Sequence, residues 1–116
     1  MELAIDRREA DSLTVVEVSG ELDVYTAPRL GAALADSVAK GHKDLVVDLT
    51  KVTFMDSTAL GVLVSSRQMV VEGDGRLRLV LSNPHVGKIM RITGFQDVFE
   101  IYSTLGDAVS PSDPAA

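Results

Sequence analysis

Leu45-Val46-Val47-Asp48-Leu49 is the stretch of sequence that decides the fold class of this chain. Its apolar residues do not alternate with polar ones, as they would in a strand that has one face in water. A short continuous apolar run is typical of a central strand that is covered on both faces. Such a strand needs helices or other cover above and below it, so an α/β fold is predicted.

Two strand-like runs and a helix precede this central strand. Leu3 and Ile5 alternate with less apolar residues and have the charged neighbours Glu2 and Asp6, and residues 13–18 are rich in β-branched side chains. We expect these two strands to pair as a hairpin around residues 9–12. An amphipathic helix follows them, with Thr26 as its N-cap candidate and Gly41 as its stop signal.

Downstream of the central strand, helices and strands continue to alternate. The predicted elements are a helix from Asp56 or Ser57 through Val71, a strand over 77–81, a helix opened by Asn83 and closed by Gly94, an edge strand over 98–102, and a short helix over 104–109. This order predicts an α/β single domain with a mixed, mostly parallel sheet of four to five strands and about four helices, joined by right-handed crossovers. The domain is expected to span residues 1–109. Residues 110–116 lack apolar anchors and are expected to form a disordered tail.

The composition excludes several classes of protein. A hydrophobic content of 46% in 116 residues is enough for one core, and the absence of cysteine excludes disulfides and thiolate metal sites. A net charge of -6 argues against nucleic acid or an anionic membrane as the main partner. Because neither a secretory signal nor a membrane span can be recognised, a cytoplasmic protein is expected.

No pattern of an enzyme is present in the sequence. There is no phosphate-binding loop motif, and the glycines of Gly73-Asp74-Gly75 are typical of a turn rather than of a dinucleotide site. His42 and His85, the two histidines, each lie beside a helix boundary without companion ligands. We therefore expect a protein that catalyses nothing and holds no metal and no cofactor.

Function is instead expected where strands end and helices begin, at residues 21–26 and in a loop over residues 50–57. Ser57 has two interpretations that do not exclude each other: it caps the second helix, a role for which Asp56 competes, or it is an exposed hydroxyl that accepts a phosphate.

The second helix also carries apolar residues on more than one face. Leu60, Leu63, Val64 and Val71 form one stripe, whereas Val62 and Met69 point elsewhere and are covered by neighbouring elements or form part of a docking surface.

Three segments then suggest a family. Gly20-Glu21-Leu22-Asp23, Asp48-Leu49-Thr50 and Phe54-Met55-Asp56-Ser57-Thr58-Ala59-Leu60-Gly61 resemble, in this order and spacing, the STAS domain of bacterial anti-sigma factor antagonists. The resemblance extends from the first strand to Tyr102. It implies a STAS-type fold and a partner-switching cycle. In that cycle the unphosphorylated antagonist binds an anti-sigma factor with serine kinase activity, which releases a sigma factor. Phosphorylation switches the binding off, and a separate phosphatase restores it.

The resemblance also implies roles for individual residues. Ser57 is the implied phosphoacceptor, Asp56 is its acidic neighbour, and Asp23 lies on the adjacent binding loop. Thr58 is a rival acceptor, because this sequence departs from the commoner family pattern at Thr58 and Ala59. The residues expected to bind the partner are Glu21, Asp23, Asp56, Ser57, Thr58 and Val62.

Two alternatives remain open at this point. The strand that ends in Asp48 resembles the acceptor strand of a receiver domain, although the acidic cluster and the lysine that a receiver needs are missing after the first and last strands. The other alternative is a structural STAS subunit of a large stress-sensing scaffold. Such subunits usually carry an extra N-terminal region, whereas here the first strand begins close to Met1. The size of the particle in solution would separate a scaffold from a switch.

Overall fold

The computed structural model describes residues 3–10 and 12–109 and contains one five-stranded sheet in the order β1-β2-β3-β4-β5. β1 is antiparallel to β2, and β2 to β5 run parallel to one another. The elements are β1 (Leu3–Ala10), β2 (Leu13–Leu22), α1 (Ala27–Ala39), β3 (Asp44–Met55), α2 (Ser57–Glu72), β4 (Arg76–Val80), α3 (Pro84–Thr93), a 3₁₀ turn (Phe95–Asp97), β5 (Glu100–Tyr102) and α4 (Leu105–Ala108). The predicted α/β fold, with its mixed and mostly parallel sheet, is confirmed. The predicted tail over residues 110–116 lies outside the described residues.

β3 is the central strand and is covered on both faces, as its apolar run predicts. Leu45 and Val47 point into the main core, which α1, α2 and α3 close with their buried apolar residues. Val46 points to the opposite face, where it packs in a smaller cluster with Val15, Val80 and Ala108 of α4. The short helix α4 therefore supplies the second layer of cover that a non-alternating strand requires.

The prediction of a loop over residues 50–57 is wrong for most of that range, because β3 continues to Met55. The extension pairs with the long strand β2, where Gly20 lies opposite Val52 and Leu22 lies opposite Met55. β4 pairs with β3 only as far as Asp48, so the extension has a strand neighbour on one side alone. This explains why its sequence is more polar than that of residues 45–49.

The helix termini agree with the predictions at α3 and at α2, for which Asp56 was one of two cap candidates, and differ in part at α1. The Asn83 side chain accepts a hydrogen bond from the His85 N–H, and Gly94 ends α3 with a φ of 78°. Thr26 occupies the N-cap position of α1, but its side chain accepts no hydrogen bond from the helix. α2 is capped by Asp56 rather than by Ser57, so the capping interpretation of Ser57 is wrong.

β5 is shorter than expected and begins at Glu100 instead of residue 98, because the N–H groups of Val98 and Phe99 bond back to the Phe95 carbonyl oxygen of the preceding 3₁₀ turn. It lies at the edge of the sheet, as predicted. Among the described residues, no helix is long and apolar enough to cross a membrane.

Gly75 fixes the close approach of the α2–β4 turn to the start of β3. A Cβ atom at Gly75 would lie 2.5 Å from the Lys43 carbonyl oxygen and 2.9 Å from the Val70 carbonyl oxygen. Since both neighbours are backbone atoms, they cannot move aside cheaply. We expect Gly75→Ala to lower the free energy of unfolding by about 2–3 kcal/mol, as measured by chemical denaturation.

Gly106→Ala is the matched control for this prediction. Its added Cβ would have no neighbour closer than 4.0 Å, and it lies in α4, where alanine is the better helix former. We expect this variant to be neutral or slightly stabilised. An unchanged denaturation midpoint for Gly75→Ala would contradict the packing described here.

Candidate functional site

The β2–α1 turn and the start of α2 lie side by side at one edge of the sheet. β2 and β3 are parallel neighbours, and their last paired residues are Leu22 and Met55. The Asp56 N–H donates a hydrogen bond of 3.1 Å to the Leu22 carbonyl oxygen, directly beyond that pair. The two segments that the sequence singles out are therefore held together by the backbone, and Asp23 and Asp56 follow the ends of adjacent strands.

At the start of α2, the capping role and the exposed hydroxyl belong to different residues. The Asp56 carboxylate accepts hydrogen bonds from the Thr58 N–H at 2.9 Å and the Ala59 N–H at 3.2 Å. Ser57 is the first helical residue and is exposed. Within the described part of the chain, no hydrogen bond to its hydroxyl is formed. The Ser57 hydroxyl is thus accessible and is not needed to hold the helix.

The β2–α1 turn is organised around the buried side chain of Asp23. Its Oδ1 accepts hydrogen bonds from the Tyr25 N–H and the Thr26 N–H, each at 2.9 Å, and from the Thr26 hydroxyl at 3.1 Å. Thr26 Oγ1 in turn lies 2.6 Å from the Glu21 carbonyl oxygen and accepts from the Asp23 N–H at 2.9 Å. Thr26 therefore closes the turn, which explains why it does not cap α1.

These contacts determine the charge state of Asp23. The hydrogen bond from the Thr26 N–H, with those from Tyr25 and the Thr26 hydroxyl, holds the pKa of the Asp23 carboxyl below its ordinary value, although burial acts in the opposite direction. A lowered pKa means that the carboxylate stabilises the folded turn at neutral pH. This stabilisation is lost as the pH falls through the folded pKa.

The same turn exposes two apolar side chains that the sequence analysis did not single out. Tyr25 is 83% exposed and Val24 is 53% exposed, while Glu21 at the end of β2 is only half-buried. One signal in the sequence could have identified them: an aromatic residue lies between the acidic residue of the predicted turn and the predicted N-cap residue of α1.

A groove of about 480 Å³ lies between α1 and α2, and Thr58, the residue that follows Ser57, is part of its lining. It is lined mainly by small and apolar residues: Gly31 and Ala35 from α1, and Thr58, Gly61, Val62, Ser65, Ser66 and Met69 from α2. The expectation that Val62 and Met69 point away from the stripe of Leu60 and Leu63 agrees with this position. Val71, which was expected in that stripe, is instead 46% exposed and does not line the groove.

The other candidate residues belong neither to the β2–α1 turn nor to the lining of the groove. Asp48 is buried within β3, and its Oδ1 accepts hydrogen bonds from the Thr50 N–H at 3.0 Å and the Thr50 hydroxyl at 2.7 Å. It does not end a strand, as the acceptor of a receiver does. His42 contacts Thr14, and His85 stacks on Phe54. Across residues 3–10 and 12–109, no three acidic or histidine side chains could hold a metal ion together.

Comparison with known proteins agrees with this geometry. The STAS domain family model matches residues 4–108. The chain is 35% identical over 101 residues to the anti-sigma-B factor antagonists of Staphylococcus aureus and Staphylococcus epidermidis, covering 87% of this chain and 94% of each relative. A crystal structure of an anti-sigma factor antagonist from Mycobacterium paratuberculosis superimposes with a TM-score of 0.87 at 32% identity, covering 94% of this chain and 92% of that one. The resemblance seen in the sequence is confirmed, and the chain belongs to the STAS domain family.

Proposed function

We propose that this chain is an anti-sigma factor antagonist that is switched by phosphorylation of Ser57. The unphosphorylated form binds an anti-sigma factor and so frees a sigma factor, and the phosphorylated form does not bind. The observation that carries the proposal is the position of Ser57: it is exposed, takes no part in capping, and directly precedes Thr58, a residue that lines an apolar groove. The names of the relatives, anti-sigma-B factor antagonists, support the same function.

Ser57 is a better acceptor than its rival Thr58. The Thr58 side chain is half-buried and lines the groove between the helices, whereas Ser57 is exposed. A kinase must bring the acceptor oxygen into line with a nucleotide phosphate, which requires a freely accessible hydroxyl. Access therefore favours Ser57.

A phosphate on Ser57 can be accommodated by the fold but not by an apolar interface. The first turn of a helix favours an anion through the helix dipole, and this contribution remains although the Asp56 carboxylate already accepts the Thr58 and Ala59 N–H groups. The same phosphate adds about -1.5 to -2 charges beside the Asp56 carboxylate and the groove. If a partner covers this surface, the charge must be desolvated without a matching cation, which weakens binding.

The proposed cycle leaves the chemistry to the partners. The anti-sigma factor acts as the serine kinase and holds ATP and Mg²⁺, and a separate phosphatase removes phosphate from Ser57. The antagonist itself acts by binding alone, in the cytoplasm. Its net charge of -6 favours a partner with a basic surface.

The first test compares Ser57 variants for binding to the anti-sigma factor. The free energy of unfolding of Ser57→Ala should lie within about 0.5 kcal/mol of the wild-type value, because the substitution removes no helix cap. It should bind the partner as tightly as unphosphorylated wild type and accept no phosphate. Phosphorylated wild type should bind about 10²-fold more weakly or worse, and Ser57→Asp should lie between the two, since one carboxylate carries less charge. Calorimetric titration measures all four affinities.

Thr58→Val is the control for the rival acceptor and should still be phosphorylated at Ser57. Circular dichroism confirms that each variant is folded. The switch assignment fails if Ser57→Ala is phosphorylated to full stoichiometry, or if phosphorylated wild type binds as tightly as the unmodified protein.

A second test asks whether the groove forms part of the binding surface. Gly61→Glu adds a carboxylate at a position that lines the groove, where the added Cβ itself would have no neighbour within 4 Å. A charge desolvated in an apolar interface costs several kcal/mol, so binding should weaken by about 10²-fold or more.

Val71→Glu is the matched control, since it adds the same charge to the same helix outside the groove. It should change the dissociation constant by about twofold at most, as expected of a charge outside the contact. Equal losses of affinity in the two variants would show a general electrostatic effect of the added charge. The groove would then not be part of the interface.

Affinity purification of the native protein, with mass spectrometry of bound proteins and phosphosites, identifies the partner for these titrations. The expected result is an anti-sigma factor with a kinase domain together with phosphate on Ser57. Recovery of the chain in a megadalton particle would favour the scaffold alternative instead.

A further inference from the structure

Tyr25 and Val24 form an exposed apolar pair on a turn that is otherwise buried and polar. Their neighbours Asp23 and Thr26 are both buried, whereas Tyr25 is 83% exposed and Val24 is 53% exposed. Single exposed apolar residues are ordinary on a protein surface. This pair differs because the turn that carries it is held by a closed set of hydrogen bonds.

That hydrogen-bonded set fixes the backbone of the pair. Asp23 Oδ1 accepts hydrogen bonds from the N–H groups of both Tyr25 and Thr26, and the Thr26 hydroxyl donates to the same oxygen. The Thr26 backbone also accepts from the Arg29 N–H at 2.9 Å, and the Asp23 carbonyl accepts from the Ala27 N–H at 2.9 Å, which ties the turn to α1. Immobilising a loop before binding removes an entropy cost that a partner would otherwise have to offset.

The turn is continuous with the surface proposed to bind the anti-sigma factor. The Leu22 carbonyl oxygen at the end of β2 accepts a hydrogen bond from the Asp56 N–H. The turn therefore starts beside the N-cap of α2. The helix α1 begins directly after the turn at Ala27, and its Gly31 lines the groove. A partner that covers Ser57 and the groove therefore has the turn at its border.

We propose that Tyr25 and Val24 are an apolar anchor for the same anti-sigma factor, and that Asp23 is a positioning residue that holds this anchor rather than a contact for the partner. The inference rests on the proposed function and refines its binding surface. It changes the role expected of Asp23, whose side chain is buried and whose Oδ1 is engaged inside the turn.

The anchor also indicates the chemistry of the partner surface. A tyrosine offers a large apolar ring and a hydroxyl at its tip, and it has only two side-chain torsions to immobilise. The complementary site is an apolar pocket on the anti-sigma factor with a hydrogen-bonding group at its base. A cation on the partner that pairs with Asp23 is not part of this arrangement.

Calorimetric titration of the purified anti-sigma factor into variants of the full chain tests the anchor. Tyr25→Ala should weaken binding by about 30-fold or more, the loss typical of a central aromatic contact. Ile92→Ala is the matched control, because Ile92 on α3 is 72% exposed and belongs neither to the turn nor to the lining of the groove. It should change the affinity by about twofold at most.

Asp23 variants separate positioning from direct contact. Asp23→Asn keeps an oxygen that can accept the Tyr25 and Thr26 N–H groups, so it should bind within about threefold of wild type. Asp23→Ala removes the acceptor and should bind at least about tenfold more weakly. In the Tyr25→Ala background, Asp23→Ala should add little further loss, because its effect passes through the anchor.

Three outcomes would overturn the inference. The first is an affinity of Tyr25→Ala for the partner that equals the affinity of the wild type, in an experiment in which the wild type does bind. The second is an Asp23→Asn variant as weak as Asp23→Ala, with a salt dependence that marks a lost ion pair. The third is full additivity of Asp23→Ala and Tyr25→Ala. If wild type itself does not bind an anti-sigma factor, the proposed function fails first and the inference fails with it.

Discussion

The parallel pairing of β2 with the extended β3 is the constraint on which the candidate site depends. The two strands stay in register to Leu22 and Met55, and the Asp56 N–H then bonds to the Leu22 carbonyl oxygen. A shorter β3 would leave the start of α2 away from the β2–α1 turn. Because the pairing continues beyond the end of β4, both segments reach the same edge and can be covered by one partner.

At this edge, the residues that stabilise the fold are separate from those that are free to function. Asp56 caps α2, so Ser57 can be modified without loss of a helix contact. Asp23 and Thr26 close the turn, so Tyr25 can be exposed on a fixed backbone. The proposed switch needs this separation, since a modification that also unfolded the domain would destroy the binding surface instead of changing its charge.

The groove between α1 and α2 follows from the small residues that face each other there. A Cβ at Gly31 would lie 3.2 Å from Val62 Cγ1, so even one added methyl group would press against the opposite helix. At Gly61 there is open space instead. The groove is therefore narrow at Gly31 and open at Gly61, one helical turn after Ser57, where the proposed partner could insert an apolar side chain.

Local chemistry determined much of what the sequence predicts correctly. The central strand followed from the run at 45–49, and α3 followed from the cap at Asn83 and the stop at Gly94, because each signal lies within a few residues of the structure that it specifies. The family motif around Ser57 was also visible without the structure.

Tertiary structure alone decided three further features. These are the length of β3, the inward direction of the Asp23 side chain, and the groove between the helices. Each depends on residues that are distant in sequence: β3 is extended by pairing with β2, and Gly31 meets Val62 only after both helices pack on the sheet. Periodicity and capping signals describe near neighbours along the chain, so they cannot report which distant backbone or side chain will complete a contact.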